Sequence, residues 1–108
     1  MTQDSLAQSN GKVIVRVDSD IEELIPGFLE NRWADVGTIN AGLEQGDFDI
    51  IRILGHDMKA SGGGYGFDPI TDIGVGLEQA AKDRKQEEIR RLVGDLISYL
   101  ERVEVVYE

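Results

Sequence analysis

The sequence has no cysteine, one histidine and two prolines, and its 11 basic residues are outnumbered by 21 acidic ones. Without cysteine there is neither a disulfide scaffold nor a thiolate zinc site. With a single imidazole besides, a metal ion would find little but carboxylate oxygens, which form a weak set. Aromatic residues make up 6% of the chain, so a core must come mainly from Ile, Leu and Val. The net charge of -10 disfavours nucleic acid and anionic membrane, since binding to either relies on Lys and Arg neutralising phosphates. No apolar run approaches the roughly 18 to 20 residues that span a bilayer. Met1 to Asn10 lacks the basic and apolar regions of a secretory signal, so the chain is expected to be soluble and cytoplasmic.

What is present fits one domain. A chain of 108 residues, 41% of them hydrophobic, has room for a single modest core. Residues 1–12, rich in Gln, Ser and Asn, are expected to form a flexible tail, and residues 13–108 a single domain. Val13-Ile14-Val15-Arg16-Val17 and Val103-Glu104-Val105-Val106-Tyr107 are β-branched and short, the character of strands. Either they pair as a ribbon where the termini meet, or each is a frayed extension.

Helices account for the segment between. Ser19 and Glu22 have the spacing of a capping box and predict a helix start. Pro26 either begins a second helix or kinks the first. Phe28, Leu29, Trp33, Val36, Ile39 and Leu43 then recur at three- and four-residue spacing up to Gly46, a helix stop. Asp47 caps the next helix, where Phe48, Ile51, Leu54 or Gly55, and Met58 mark a core stripe, with Asp49, Arg52, His56, Lys59 and Gly63 opposite. That helix dissolves in Gly62-Gly63-Gly64, since each glycine disfavours helix by about 1 kcal/mol. Asp68-Pro69 predicts an N-cap and first turn, followed by the stripe Ile70, Ile73, Leu77, Ala80 and Ala81. A last helix, from about Gln86 to Arg102, turns Ile89, Leu92, Val93, Leu96 and Leu100 inward. The expected fold class is all-α: an antiparallel four-helix bundle with an additional short N-terminal helix and, if the two ends pair, a short terminal β-ribbon. Glycine and proline punctuation excludes a long coiled coil.

His56 carries the chemical interest. Arg52 lies one turn before it and Lys59 one turn after, on the same polar face. Four uses of a lone histidine compete. A structural role belongs more often to a core or boundary position, and metal binding lacks partners, because Asp49 and Asp57 are a poor set. General acid/base catalysis needs a cleft and a second group that the sequence does not display. The fourth use is nucleophilic, with a phosphoryl group accepted on a ring nitrogen. Phosphoryl transfer depends on positioning and charge neutralisation, and an ordinary imidazole is largely neutral at cellular pH. The two flanking cations are expected to favour that neutral ring, and Lys59 to meet phosphoryl oxygens. The glycine run lacks the Walker pattern and follows no predicted strand, which disfavours nucleotide binding. Small residues beside the ring instead keep the helix surface low for an approaching protein.

The stretch His56-Asp57-Met58-Lys59-Ala60-Ser61, followed by Gly66-Phe67 and Leu77-Glu78-Gln79-Ala80-Ala81, resembles the signature of histidine-containing phosphotransfer (HPt) domains. Members typically read His-x-x-Lys-Gly-Ser, then small residues and a glycine, inside a four-helix bundle. The resemblance runs from about Val17 to Val103. It implies a two-component phosphorelay in which His56 carries phosphate to and from the aspartate of a response-regulator receiver domain, downstream of a hybrid sensor kinase. Lys59 matches the lysine that assists the phosphoryl group, and Gly66 the glycine that admits the partner. Arg52, Ala60 and Gly63 complete the expected docking surface. The resemblance also implies no cofactor in the bundle itself, the Mg²⁺ standing on the receiver, and no independent turnover. A monomer is expected, since a relay surface must stay open. Ala60 departs from the family, which usually has glycine there, so weakened or partner-specific transfer is expected. The competing reading is a module that sequesters a receiver or kinase without carrying phosphate.

Overall fold

The computed structural model describes residues 11–108, so the expected flexible tail lies, up to residue 10, outside the described residues. Strand β1 (Val13–Val17) leads through a 3-10 segment (Ser19–Leu24) into α1 (Ile25–Gln45), α2 (Phe48–Ser61), α3 (Asp68–Lys82) and α4 (Gln86–Arg102), and β2 (Val103–Tyr107) follows directly. No helix among the described residues is long and apolar enough to cross a membrane.

The two β-branched ends pair, and they do so in parallel, with Val13 beside Val103 and Val17 beside Tyr107. Parallel strands need a long crossover, which here is the whole helical segment. Val15 and Val17 turn inward onto the core, while Lys12–Glu104 (2.9 Å) and Arg16–Glu108 (3.6 Å) ion pairs bridge the strands on the solvent side. Such exposed pairs contribute little to stability, so the inward valines anchor the ribbon.

Helix boundaries follow local chemistry. Gly46 ends α1 in the left-handed region (φ 70°), and the Asp47 carboxylate accepts from Ile50 N at 3.2 Å to cap α2. Pro26 occupies the first turn of α1 and so begins a helix rather than kinking one. The expected Ser19–Glu22 capping box does not form. Ser19 N donates to Glu108 O (3.0 Å), which ties Ser19 to the end of the sheet. The cap falls to Asp18, whose carboxylate accepts from Asp20 N at 2.8 Å and opens a 3-10 segment rather than an α-helix. Helix α3 begins one residue earlier than expected: Phe67 is its N-cap, and Asp68 stands in the first turn, where a negative charge favours the helix dipole.

All four helices and both strands contribute to one core, in which Ile25, Ile39, Ile51, Met58, Phe67, Ile70, Leu77, Ile89 and Leu96 are fully buried. Removing each such side chain from water is worth about 1.5–3 kcal/mol. Trp33, expected on the α1 stripe, is instead 43% exposed. At about 100° per residue, Arg32 falls in the middle of the stripe set by Ile25, Phe28, Val36, Ile39 and Leu43, and Trp33 falls beside it. The Arg32 guanidinium lies over the Phe28 ring (4.9 Å) and binds Asp35 at 2.8 Å, both side chains 13% exposed. Burial pushes the Asp35 carboxyl up, against the pull of Arg32. Phe28 also stacks on Phe67 (5.3 Å) and meets Tyr65 (4.8 Å).

The closest approach between helices is that of α2 and α3. A methyl on Gly55 would stand 2.6 Å from Glu78 N, and one on Gly74 would stand 2.5 Å from Lys59 N. Only hydrogen fits at either position, and the resulting contact brings side chains of α3 within reach of His56.

Candidate functional site

His56 projects from α2 with 58% of its side chain exposed. Its Nδ1 stands 3.2 Å from Glu78 Oε2, and Lys59 Nζ donates to Glu78 Oε1 at 2.7 Å. One carboxylate on α3 thus engages two residues a helical turn apart on α2. Glu78 is itself largely covered, with 14% of its side chain exposed, while Lys59 keeps 40%. The hydrogen-bonded Lys59 ammonium holds the Glu78 carboxyl below its ordinary value, and the His56 contact and the more distant Lys82 act in the same direction.

An ionised carboxylate can only accept, so the nitrogen facing it carries the hydrogen. Nδ1–H therefore donates to Glu78, and the lone pair of the neutral ring is at Nε2, the nitrogen that makes no hydrogen bond among the described residues. The charge nearest the ring is thus a carboxylate, not the cation expected from the sequence. Lys59, expected to flank the imidazole as a free point charge, is tied to the acid that orients it. Arg52, one turn before His56, is half-buried and forms no ion pair among the described residues.

The remaining expected residues lie C-terminal to the ring. Ala60 is exposed on α2 directly after Lys59. Gly63 donates its N–H to Thr71 Oγ1 at 2.7 Å, and a methyl there would meet only ordinary contacts at 3.5 Å. Gly66 has φ 94°, closes the 3-10 turn Gly63–Tyr65 and lies against the backbone of β1, so its glycine has a local conformational cause. Gly62, by contrast, is packed: a methyl would stand 2.7 Å from Thr71 N.

Glu78 received no role from the sequence, although it lies inside the motif that carries the family resemblance. A signal was there: between Ile73 and Ala81 it is the one charged residue, in a helix otherwise apolar or small on that side. Gly55 enters the expected core stripe only as the alternative to Leu54, and Gly74 not at all, because two backbones in contact leave no trace in hydrophobic periodicity. Among the described residues no group of three or more potential ligands gathers as a metal site. Comparisons of the chain with protein-family models, with curated proteins and with solved structures find no match.

Proposed function

We propose that the protein is a histidine phosphocarrier of a two-component phosphorelay, an HPt-like antiparallel four-helix bundle that holds a phosphoryl group on His56 between receiver-domain aspartates. The observation that carries this reading is the contact of Nδ1 with the Glu78 carboxylate, beside an exposed ring whose other nitrogen is unengaged among the described residues. The Nε2 lone pair attacks the phosphorus of an aspartyl phosphate. The P–N bond forms as the P–O bond to the aspartate breaks, and the partner's carboxylate leaves with that electron pair. Glu78 holds Nδ1–H throughout and stabilises the positive charge that the ring acquires on attack. Lys59, one turn away and partly exposed, shifts from Glu78 toward the incoming phosphoryl oxygens. Mg²⁺ belongs to the receiver, and the same steps in reverse pass the group on, so the protein has no turnover of its own. Short connections, Gly46-Asp47 and residues 83–85, support the antiparallel order of the helices.

The test is incubation with a phosphorylated receiver domain. Acid-labile, alkali-stable phosphate should appear on the wild-type chain and be absent from His56→Gln. Receiver binding at unchanged affinity by His56→Ala, with no phosphate on wild type, would instead establish a sequestering module, the reading that the Ala60 methyl favours.

A further inference from the structure

Strand β1 pairs with β2 on one side only, and no other strand among the described residues covers its second edge. Val17 O accepts from Glu108 N at 3.0 Å, so Val17 directs its backbone groups toward β2. Consecutive residues in a strand direct theirs to opposite edges, which turns the N–H and C=O of Ile14 and Arg16 outward. That edge opens on a groove of about 550 Å³ walled by Gly66, Asp68, Pro69 and Tyr99. Past Val13, Pro69 and Tyr99 the groove adjoins a second cavity of about 430 Å³ that carries Asp72 and Asp95.

Two further features mark the groove. Tyr99 is 5% exposed, and its hydroxyl has no hydrogen-bond partner among the described residues, an uncommon state for a buried polar atom. Burial, with the Asp68 carboxylate adding to it, pushes this phenol up, so it remains a donor at neutral pH. Of the charges around it, Arg16 on the groove is paired with Glu108 at 3.6 Å and Asp95 is held by Arg91 at 3.1 Å, while Asp68 and Asp72 form no ion pair among the described residues. One cation, Arg102, borders the second cavity and donates through Nε to Ser98 O.

The geometry points to strand addition: an extended segment of a partner protein, with basic and apolar side chains in alternation, docks as a third strand on the free edge of β1. Its main chain pairs with Ile14 and Arg16 and brings a carbonyl to the Tyr99 hydroxyl. Its basic side chains face Asp68 and Asp72, and its apolar ones line up beside Ile14, which is 51% exposed on the solvent side. Asp68 and Glu78 are about ten residues apart on α3, roughly 15 Å along the axis, so an occupied groove leaves the His56 ring open.

The probe is a capped hexapeptide of alternating lysine and valine, titrated into the full chain with amide hydrogen exchange read by NMR. Saturable binding with slowed exchange at the Ile14 and Arg16 amides is expected, lost when the peptide is N-methylated along its pairing edge. Asp68→Asn and Asp72→Asn should each weaken binding about two- to fivefold, as for an exposed charge pair. Tyr99→Phe should weaken it with the charge dependence intact. Equal binding of an analogue with glutamate in place of lysine, unprotected Ile14 and Arg16 amides at saturation, or no binding at all would overturn the proposal. So would a concentration-dependent dimer that protects the same amides without peptide, since the occupant would then be a second copy of this chain.

Discussion

His56 Nδ1 stands 3.2 Å from Glu78 Oε2 across the contact of α2 and α3. The pairing is selective in its chemistry, because a carboxylate at that nitrogen requires Nδ1–H and leaves the lone pair at Nε2, whereas a cation there would require the opposite tautomer. Glu78→Gln keeps the shape but lets an amide donate as well as accept, and so releases the ring to either tautomer. Phosphorylation of His56 should slow by about ten- to a hundredfold, the range seen when a histidine loses its orienting partner. Nitrogen chemical shifts of the imidazole should move toward a tautomer mixture; an unchanged tautomer with an unchanged rate would remove Glu78 from the mechanism. The same variant reports on acid stability. Lys59 holds the folded-state Glu78 carboxyl below its ordinary value near 4.5, so the unfolded chain binds the proton first as pH falls. The advantage of wild type over Glu78→Gln in denaturant unfolding is therefore full above pH 4.5 and disappears below that value, as the folded carboxyl protonates.

Periodicity was enough to read the helices, because a stripe at 3.6-residue spacing states both the element and its buried face. The α4 boundaries and the buried residues of α3 came directly from it. It misjudged α1 at one place, since Trp33 looked like a core residue and Arg32 did not. An aromatic partner and an adjacent acid make the arginine tolerable on the stripe, and neither is visible without three dimensions. His56 and Lys59 were legible because they share one helix. Glu78 was not, because its relation to them depends on the register between two helices, which a pair of glycines sets.

Replacing glycine with alanine has opposite expected signs at Gly94 and at Gly74. Gly94, on the exposed side of α4, has none of the described residues within 4 Å of an added methyl, so Gly94→Ala should stabilise by about 0.5–1 kcal/mol through the unfolded chain and helix propensity. Gly74→Ala gains the same propensity but drives a methyl to 2.5 Å from Lys59 N and 2.6 Å from Gly55 O. The helices must separate, at a net destabilisation of about 1–3 kcal/mol, and the Glu78 carboxylate withdraws from the ring. Thermal or urea unfolding of the two variants decides the matter; stabilisation by both would show that the α2 and α3 backbones are farther apart than described.

The half-buried pair on α1 should respond unequally to single and double replacement. Arg32→Met leaves Asp35 covered and without its partner, a change that destabilises by about 1–3 kcal/mol. Burial outweighs the Arg32 attraction at Asp35, as its raised pKa shows, so the ion pair is a weak net contributor. Replacing both residues, Arg32→Met with Asp35→Leu, should recover most of that loss. Urea midpoints for the two single variants and the double variant form the cycle that tests this; strictly additive losses would mean the two side chains act independently.

Ala60 puts a methyl on the exposed surface of α2 immediately after Lys59, where none of the described residues buries it. Two effects of Ala60→Gly then oppose one another in different measurements. Losing the better helix former should lower stability by about 1 kcal/mol near the end of α2. Removing the methyl should at the same time let a receiver sit closer to His56 and raise the rate of phosphate transfer from it. Faster transfer in a less stable protein is thus the expected pair of outcomes, read by stopped transfer reactions and urea unfolding. A slower or unchanged rate would mean that the methyl does not crowd a docked receiver, and would remove the steric reading of Ala60.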